Sequence, residues 1–180
     1  HLEITRDIAE RFNNIYGDVF TIPEAYIGKK GAKIMSLQEP GKKMSKSDTN
    51  ANATILLLDD TDTIIRKFKR AVTDSESEVR YAEEKPGISN LMDIYSAVTG
   101  KTYEEIEKEF AGKGYGDFKL AVGETVADHL KPLQERYEQL MKDKAYIESM
   151  IKQNDEKAAY YANKTLRKVQ KKVGLTERIR

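Results

Sequence analysis

Two lysines three residues apart on a short, serine-containing stretch are the residues whose types and spacing best suit chemistry. Lys43 and Lys46 are separated by Met44 and Ser45, and Ser47 follows. Ammonium groups are compact point charges with rotatable donors, so a pair of them can meet triphosphate oxygens as negative charge builds on a leaving group. The same composition is typical of a plain exposed turn, and the residues alone leave that interpretation open. Residues 43–47, the lysine loop, are therefore a candidate polyphosphate-binding site.

Composition limits the classes of protein to which the chain can belong. Its 180 residues suffice for one domain, or for a domain with part of another. The lack of cysteine excludes disulfides and thiolate metal sites, and with only His1 and His129 as imidazoles no protein-bound metal is expected. No apolar run approaches the roughly 20 residues that a membrane span needs. These features favour a soluble, cytoplasmic protein.

The net charge of +1 predicts nothing about nucleic acid, but the distribution of charge is uneven. Two stretches are strongly basic, one around the lysine loop and one in the tail. In the first, Glu39 is the single acid among Lys29, Lys30, Lys33, Lys42, Lys43 and Lys46. In the second, Glu177 is the single acid among Lys164, Arg167, Lys168, Lys171, Lys172, Arg178 and Arg180.

Helical spacing of apolar residues predicts that most of the chain is helical. The predicted helices are residues 1–16, one capped within 59–62 and carrying Ile64, Ile65, Phe68 and Val72, one from Pro86 to Gly100, a short one with a Thr102 and Glu105 capping box, a long one over 118–140, and a last one ending at Gly174. Gly112, Gly114 and Gly116 are expected to break the chain before the long helix, and Pro132 to kink it.

Short half-apolar pieces bounded by glycine and proline predict extended segments around the lysine loop. Residues 21–27 and 32–37 lead into it, and residues 54–58 form a short run expected to be buried. The fold class predicted from this layout is mostly α: a helical bundle attached to the C-terminal remnant of an α/β Rossmann-like domain.

The lysine loop reads, letter for letter, like the signature loop of class I aminoacyl-tRNA synthetases. Further segments carry the likeness along essentially the whole chain: DVF at 18–20, PE at 23–24, GAKIMSL at 31–37, VTDS at 72–75, KPGISNL at 85–91 and GKGYGDFK at 112–119. In this order they resemble the bacterial tryptophanyl-tRNA synthetases. The tyrosyl-tRNA synthetases are the nearest siblings, and their bacterial lysine loop usually departs from this sequence.

The resemblance implies activation of tryptophan by ATP to an aminoacyl-adenylate, followed by transfer to tRNA(Trp). Lys43 and Lys46 would be catalytic and hold the departing pyrophosphate. The implied ATP-binding residues are Ile34, Lys43, Met44, Ser45, Lys46 and Ser47, with Mg²⁺ carried by ATP. Ile34 would contact the base, although an ordinary core isoleucine explains it equally. Asp48 is expected to tie the loop down through its own backbone, and Thr49 stands where proline is usual.

By the same resemblance, residues 1–58 are the end of the catalytic domain and residues 59–180 are a helical tRNA anticodon-binding domain. The histidine-containing first signature and the amino-acid pocket have no counterpart here, so we expect an N-terminal truncation. The chain alone is expected to bind ATP weakly and to be inactive. The intact enzyme is expected to be a homodimer.

Two sets of residues could contact RNA. They are the basic helix end formed by Arg66, Lys67, Lys69 and Arg70, and the mixture of rings and cations formed by Tyr160, Tyr161, Asn163, Lys164 and Arg167. Aromatic rings suit stacking on unpaired bases, and cations suit phosphates. A solvated charged helix face explains the same residues, because long surface helices are commonly lysine-rich.

Three other functions remain open from the residues alone. The chain could be part of a tyrosyl-tRNA synthetase, or a non-catalytic helical RNA-binding module that keeps the lysine loop without using it. It could also belong to another nucleotidyltransferase with a related loop.

Overall fold

The computed structural model describes residues 1–28 and 33–175, and this part of the chain is mostly helical, as predicted. Its helices are α1 Leu2–Tyr16, α2 Thr61–Lys69, α3 Pro86–Thr99, α4 Tyr103–Glu109, α5 Tyr115–Met141 and α6 Lys144–Lys172. Within the described residues there is no strand, only an isolated antiparallel bridge between Met35 and Lys43. The basic residues Lys29, Lys30, Arg178 and Arg180, together with Gly31, Ala32 and Glu177, lie outside the described residues.

The chain divides into two compact units. The first comprises His1–Ile27 and Leu140–Arg180, and the second comprises Gly28–Gln139. The lysine loop and α2 to α4 belong to the second unit, whereas α1 and α6 belong to the first. The predicted functional boundary after residue 58 falls inside the second unit and stays a prediction.

In the first unit, α1 ends as predicted at Gly17, whose φ of 84° is one that side-chain-bearing residues rarely adopt. The Asn13 side chain holds the turn that follows. Its oxygen accepts the N–H groups of Val19 and Phe20, both at 3.0 Å, and its amide nitrogen donates to the Phe20 carbonyl at 2.8 Å. The apolar residues Ile4, Ile8 and Ile15 of α1 are exposed, and α6 has no buried residue.

The second unit has one apolar core, to which α2, α3, α4 and α5 all contribute. Its buried residues are Leu37, Ile64, Phe68, Ala71, Val79, Ile88, Leu91, Met92, Ile94, Tyr95, Ile106, Phe110, Tyr115, Phe118, Val122, Val126 and Ala127. Three of the rings form an edge-to-face cluster, with centroids 4.8 Å apart for Phe110 and Phe118 and 5.8 Å apart for Tyr95 and Phe110. This core is the scaffold behind the lysine loop.

Capping residues fix the helix ends where the sequence predicts them. The Asp60 carboxylate accepts the Thr63 N–H at 2.8 Å at the start of α2. Thr102 and Glu105 form the predicted capping box of α4. Gly100 ends α3 with a φ of 78°. Because these signals lie within a few residues of each other in sequence, they need no tertiary information.

Three local predictions are wrong. Leu56, Leu57 and Leu58 are not buried: they are 50%, 59% and 55% exposed, in a turn where the Asp59 carboxylate accepts the Leu56 N–H. Three successive apolar residues are buried only where both faces of the segment are covered, and the exposure of these three shows that this turn is not covered on both. Val72 does not continue α2, which ends at Lys69, and Gly116 is the second residue of α5.

Pro132 lies inside α5, which continues through it as a helix, and the predicted kink stays a prediction. A proline lacks the N–H that would close a helical hydrogen bond, and its ring crowds the preceding turn. Pro132 and its neighbours at 131 and 133 are all exposed, which leaves room for that crowding to be relieved.

A buried lysine ties the segment after Ala71 to α3 and α5. The Lys85 ammonium contacts Glu76 and donates to the Tyr115 hydroxyl at 2.9 Å, and that hydroxyl donates to the Asp74 carboxylate at 2.7 Å. Burial acts to raise the pKa of the Asp74 carboxyl, but hydrogen bonds from Tyr115 and the Glu76 N–H outweigh it, so this pKa lies below its ordinary value. Residues 74–76 are therefore anchored to the core unit.

Candidate functional site

Residues 34–44 form a short antiparallel hairpin, and the lysine loop begins at its second arm. The Met44 N–H donates to the Ile34 carbonyl at 3.0 Å, and the Ser36 N–H donates to the Lys42 carbonyl at 2.8 Å. Met35 and Lys43 therefore lie opposite each other. The side chain of Ser36 closes the turn by accepting the N–H groups of residues 38 and 39 at 3.3 and 3.2 Å. These hydrogen bonds fix the backbone position from which the Lys43 side chain projects.

The rest of the loop is folded on itself by its own hydroxyl and carbonyl groups. The Ser45 carbonyl accepts the Asp48 N–H at 3.2 Å and the Thr54 hydroxyl at 2.7 Å, and the Ser45 and Ser47 hydroxyls lie 3.0 Å apart. The Asp48 carboxylate accepts the Asn50 N–H at 2.8 Å. This bond confirms that Asp48 holds its own backbone. The loop is a series of turns, not a loose strand.

The two lysines singled out by their spacing differ from their neighbour Lys42 in their partners. Lys42 lies 2.5 Å from the Glu39 carboxylate, and the hydrogen bond to Glu39 raises the pKa of its ammonium. Lys43 and Lys46 are exposed, and neither forms an ion pair within residues 1–28 and 33–175. Their charges are therefore available to an anion, whereas the ammonium of Lys42 is already paired with a carboxylate.

Ile34 and Met44 meet on the apolar side of the hairpin. Both are half-buried against the core and line an apolar cavity of about 220 Å³. The other lining residues are Ile55, Phe68, Ile94, Ala97, Val98 and Val126. The structure thus joins exposed cations and hydroxyls to an apolar wall within a few residues. Such a combination suits a molecule with a flat apolar part and a polyphosphate part.

Sequence reasoning missed two side chains that hold this arrangement together. Asn90 of α3 contacts both backbone groups of Met35. Lys67 of α2 is buried and donates to the Thr54 carbonyl at 2.9 Å and to the Asp59 carboxylate at 2.6 Å. The prediction that Lys67 belongs to an RNA-binding surface is therefore wrong, because its ammonium is already bound inside the protein.

The other predicted RNA-contacting residues are exposed, except Asn163. Tyr160 and Tyr161 on α6 are 64% and 60% exposed, with ring centroids 5.4 Å apart. Lys164 and Arg167 follow on the same helix and are also exposed, whereas Asn163 is half-buried. Farther along α6, a surface concavity of about 550 Å³ is lined by Arg167, Lys168, Lys171, Gly174 and Leu175. Arg66, Lys69 and Arg70 are exposed on the second unit.

None of the helices in the described part of the chain combines the length and the apolar character needed to cross a bilayer.

Comparison with known proteins gives consistent results for family, sequence and structure. The family model of the class I tRNA synthetases (W and Y) matches residues 1–131. The tryptophan–tRNA ligase of Clostridium tetani is 53% identical over 174 residues, which are 97% of this chain and 52% of that protein. A ligase of the same name from Listeria monocytogenes is 52% identical over 176 residues, which are 97% of this chain and 53% of that protein.

Two solved structures resemble the fold. The tryptophanyl-tRNA synthetase of Mycoplasma pneumoniae has a TM-score of 0.87 at 30% identity, covering 98% of this chain and 53% of that one. The Campylobacter jejuni tryptophanyl-tRNA synthetase complexed with ADP and tryptophan has a TM-score of 0.65 at 29% identity, covering 97% of this chain and 54% of that one. The chain spans about half the length of the relatives that it matches.

Proposed function

The chain belongs to the class I tRNA synthetases of the W and Y type, and from this premise we propose that it is part of a tryptophan–tRNA ligase. The intact enzyme would activate tryptophan with ATP and pass it to tRNA(Trp). The observation that carries the proposal is the pair of exposed ammonium groups of Lys43 and Lys46, which form no ion pair with any residue that the structure describes and lie on a hairpin backed by an apolar wall. Tryptophan–tRNA ligases at about half identity favour tryptophan over tyrosine as the substrate.

The chemistry of activation explains why two cations are useful. A carboxylate oxygen of tryptophan attacks the α-phosphorus of ATP, and the bond from that phosphorus to the bridging oxygen breaks. Pyrophosphate leaves with the electron pair, so negative charge grows on its oxygens. The substrate supplies its own nucleophile, which leaves the protein to position the reactants and to stabilise the leaving group. Lys43 and Lys46 are assigned this role, with Mg²⁺ arriving on ATP.

The remaining loop residues are assigned to ATP binding. The hydroxyls of Ser45 and Ser47, which lie 3.0 Å apart, would contact the phosphates. Ile34 and Met44 would offer the base their shared apolar surface. The Thr54 hydroxyl bound to the Ser45 carbonyl replaces some of the rigidity that a proline at position 49 would give.

The function can be tested by joining this 180-residue sequence to the part of the Clostridium tetani ligase that it does not match. We call this protein the joined enzyme. It should catalyse exchange of pyrophosphate into ATP that depends on tryptophan. The same enzyme should show no exchange with tyrosine, which separates the two family members. Exchange supported by tyrosine, or by neither amino acid, would contradict the proposal.

We further propose that residues 59–180 serve tRNA binding, with α6 contacting the anticodon region. The exposed pair of Tyr160 and Tyr161 followed by Lys164 and Arg167 is what supports this proposal. We also infer that the intact enzyme is a cytoplasmic homodimer.

Binding of tRNA(Trp) to the chain should depend steeply on salt. If about four Lys or Arg side chains neutralise phosphates of an unpaired RNA strand and release their counterions, raising the salt from about 50 to 200 mM should weaken binding roughly 50-fold. The double substitution Lys164→Ala with Arg167→Ala should reduce the slope of log affinity against log salt by about 1.4. Lys108→Ala, an exposed lysine of α4, is the control and should leave the slope unchanged. Fluorescence anisotropy measures both, and equal affinity at the two salt concentrations would contradict an electrostatic interface.

A further inference from the structure

Asn90 is one of the buried polar residues of the protein. It lies on α3 between the buried residues Ile88 and Leu91 and is only 3% exposed. Its side-chain oxygen accepts the Met35 N–H at 2.8 Å, and its side-chain nitrogen donates to the Met35 carbonyl at 2.9 Å. One amide therefore satisfies both backbone groups of a residue 55 positions away in sequence.

Met35 occupies a special place in the hairpin. Its neighbours Ile34 and Ser36 form the hydrogen bonds to Met44 and Lys42, while Met35 itself lies opposite Lys43. In an antiparallel pair the backbone groups of successive residues point to opposite sides, so those of Met35 face away from the lysine loop. Asn90 thus fills the position that a third strand would occupy in a sheet.

The helix that carries Asn90 is itself held in place on several sides. Pro86 is at its first turn, and Gly87 packs directly against the backbone of Val72. Ile88, Leu91 and Met92 are buried in the core. The amide of Asn90 therefore has little freedom, and it transmits the position of the core to the hairpin.

We propose that Asn90 is a positioning residue for the lysine loop. It holds the hairpin so that Lys43 and Lys46 are in place when pyrophosphate departs, without touching the substrate itself. This inference rests on the proposed function of the loop, but its first step, the clamp on the hairpin, can be tested without any catalytic activity.

The chemistry of the amide explains why asparagine is needed. A short side chain that carries an NH2 donor group and a carbonyl acceptor can pair with both backbone groups of a single residue. Alanine would leave the Met35 N–H and carbonyl without partners in a partly buried place, which is costly. Aspartate would keep the acceptor for the N–H but would place a negative oxygen against the carbonyl.

The neighbouring residue offers a matched control. The hydroxyl of Ser89, also buried on α3, accepts the Ala82 N–H at 3.0 Å and donates to the Ala82 carbonyl at 2.8 Å. Ser89→Ala therefore removes a two-bond clamp of the same kind from the same helix. Its target is residue 82, which is outside the hairpin.

Hydrogen exchange on the 180-residue chain tests the clamp. In Asn90→Ala, the amides of Ser36 and Met44 should exchange about tenfold faster, because opening of the hairpin is no longer opposed by Asn90. The amide of Phe118, in the core, should be unaffected, and Ser89→Ala should leave Ser36 and Met44 unchanged. If Asn90→Ala unfolds the chain, Asn90→Asp replaces it: aspartate keeps the acceptor for the Met35 N–H but repels the Met35 carbonyl, so the same two amides should again exchange faster than in the unsubstituted chain. Unchanged exchange at Ser36 and Met44 in a folded variant would overturn the proposal.

Kinetics of the joined enzyme test the catalytic consequence. Asn90→Ala should lower kcat for pyrophosphate exchange about tenfold while KM for tryptophan changes less than about twofold, because the loss concerns the transition state. Ser89→Ala should retain kcat. If lysine substitutions abolish exchange but Asn90→Ala keeps full kcat, the positioning role is wrong. If alanine substitutions of Lys43 and Lys46 also leave kcat unchanged, the proposed function of the loop is wrong. The hydrogen-exchange rates of the Ser36 and Met44 amides then still decide whether Asn90 clamps the hairpin.

Discussion

Replacing Lys46 by alanine in the joined enzyme should lower the rate of tryptophanyl-adenylate formation about 10²–10³-fold, the usual effect of removing one preorganised donor from a developing negative charge. Lys46 is exposed and forms no ion pair in the described part of the chain, so its ammonium has no structural partner to lose. Its removal should therefore cost activity and not stability. Lys43→Ala should act in the same direction, and the two together should lower the rate further.

Lys42→Ala is the matched control for these substitutions. Lys42 is exposed and adjacent in sequence, but its ammonium is paired with Glu39 at 2.5 Å. We expect its loss to change the rate less than about threefold, as for an exposed pair with little net energy. Single-turnover formation of the adenylate measures all four variants, including the Lys43→Ala and Lys46→Ala double variant, and circular dichroism confirms that each is folded. A Lys46→Ala enzyme with the full rate would show that the loop does not stabilise pyrophosphate.

Sequence reasoning succeeded where the determining interactions are local. The capping box of Thr102 and Glu105, the cap at Asp60 and the positive-φ glycines at 17 and 100 all act within a few residues. The bond from the Asp48 carboxylate to the Asn50 N–H is equally local. These elements could be predicted because the partner of each group is already specified by its neighbours in the chain.

Prediction from the sequence failed where the partner of a side chain lies far away in the sequence. Whether Leu57 is covered depends on other parts of the fold, and the chain leaves it exposed. Lys67 resembles the surface lysines around it, but its ammonium meets the carbonyl of Thr54 thirteen positions earlier. In the sequence, Asn90 stands out only as a member of the KPGISNL segment at 85–91, which resembles the synthetases. Its position within an apolar helix face is the signal that could have identified it, because a buried amide needs partners.

The candidate site shows the same division. Lys43, Ser45, Lys46 and Ser47 are adjacent in sequence, so their proximity needed no fold. Ile34 and Met44 lie together only because of the hairpin; the resemblance to the synthetases implied that each binds ATP but did not imply that they lie together. The supports of the hairpin, Asn90 and the Thr54 hydroxyl, come from segments that no local pattern connects to it.

The largest loss of stability from a small substitution should come from Gly87→Ala. A Cβ at this position would lie 2.3 Å from the Val72 carbonyl oxygen and 3.0 Å from the Thr73 Cα, both backbone atoms. The backbone there cannot move freely, because the Val72 N–H donates to the Leu37 carbonyl at 2.7 Å and the next carboxylate, Asp74, is bound to Tyr115. We expect unfolding free energy to fall by about 3 kcal/mol, at the upper end of typical overpacking effects.

Gly116→Ala provides the comparison, since both glycines are the second residue of a helix. A Cβ at Gly116 would meet nothing within 4 Å, so alanine should be neutral or should stabilise the chain by up to about 1 kcal/mol. Gly123→Ala should fall between the two, because its Cβ would lie 3.0 Å from the Ile65 Cα. Urea unfolding followed by circular dichroism ranks the three variants. Equal stability of Gly87→Ala and Gly116→Ala would mean that α3 can move away from Val72 at no cost, and the close approach would then not be what fixes the helix behind the lysine loop.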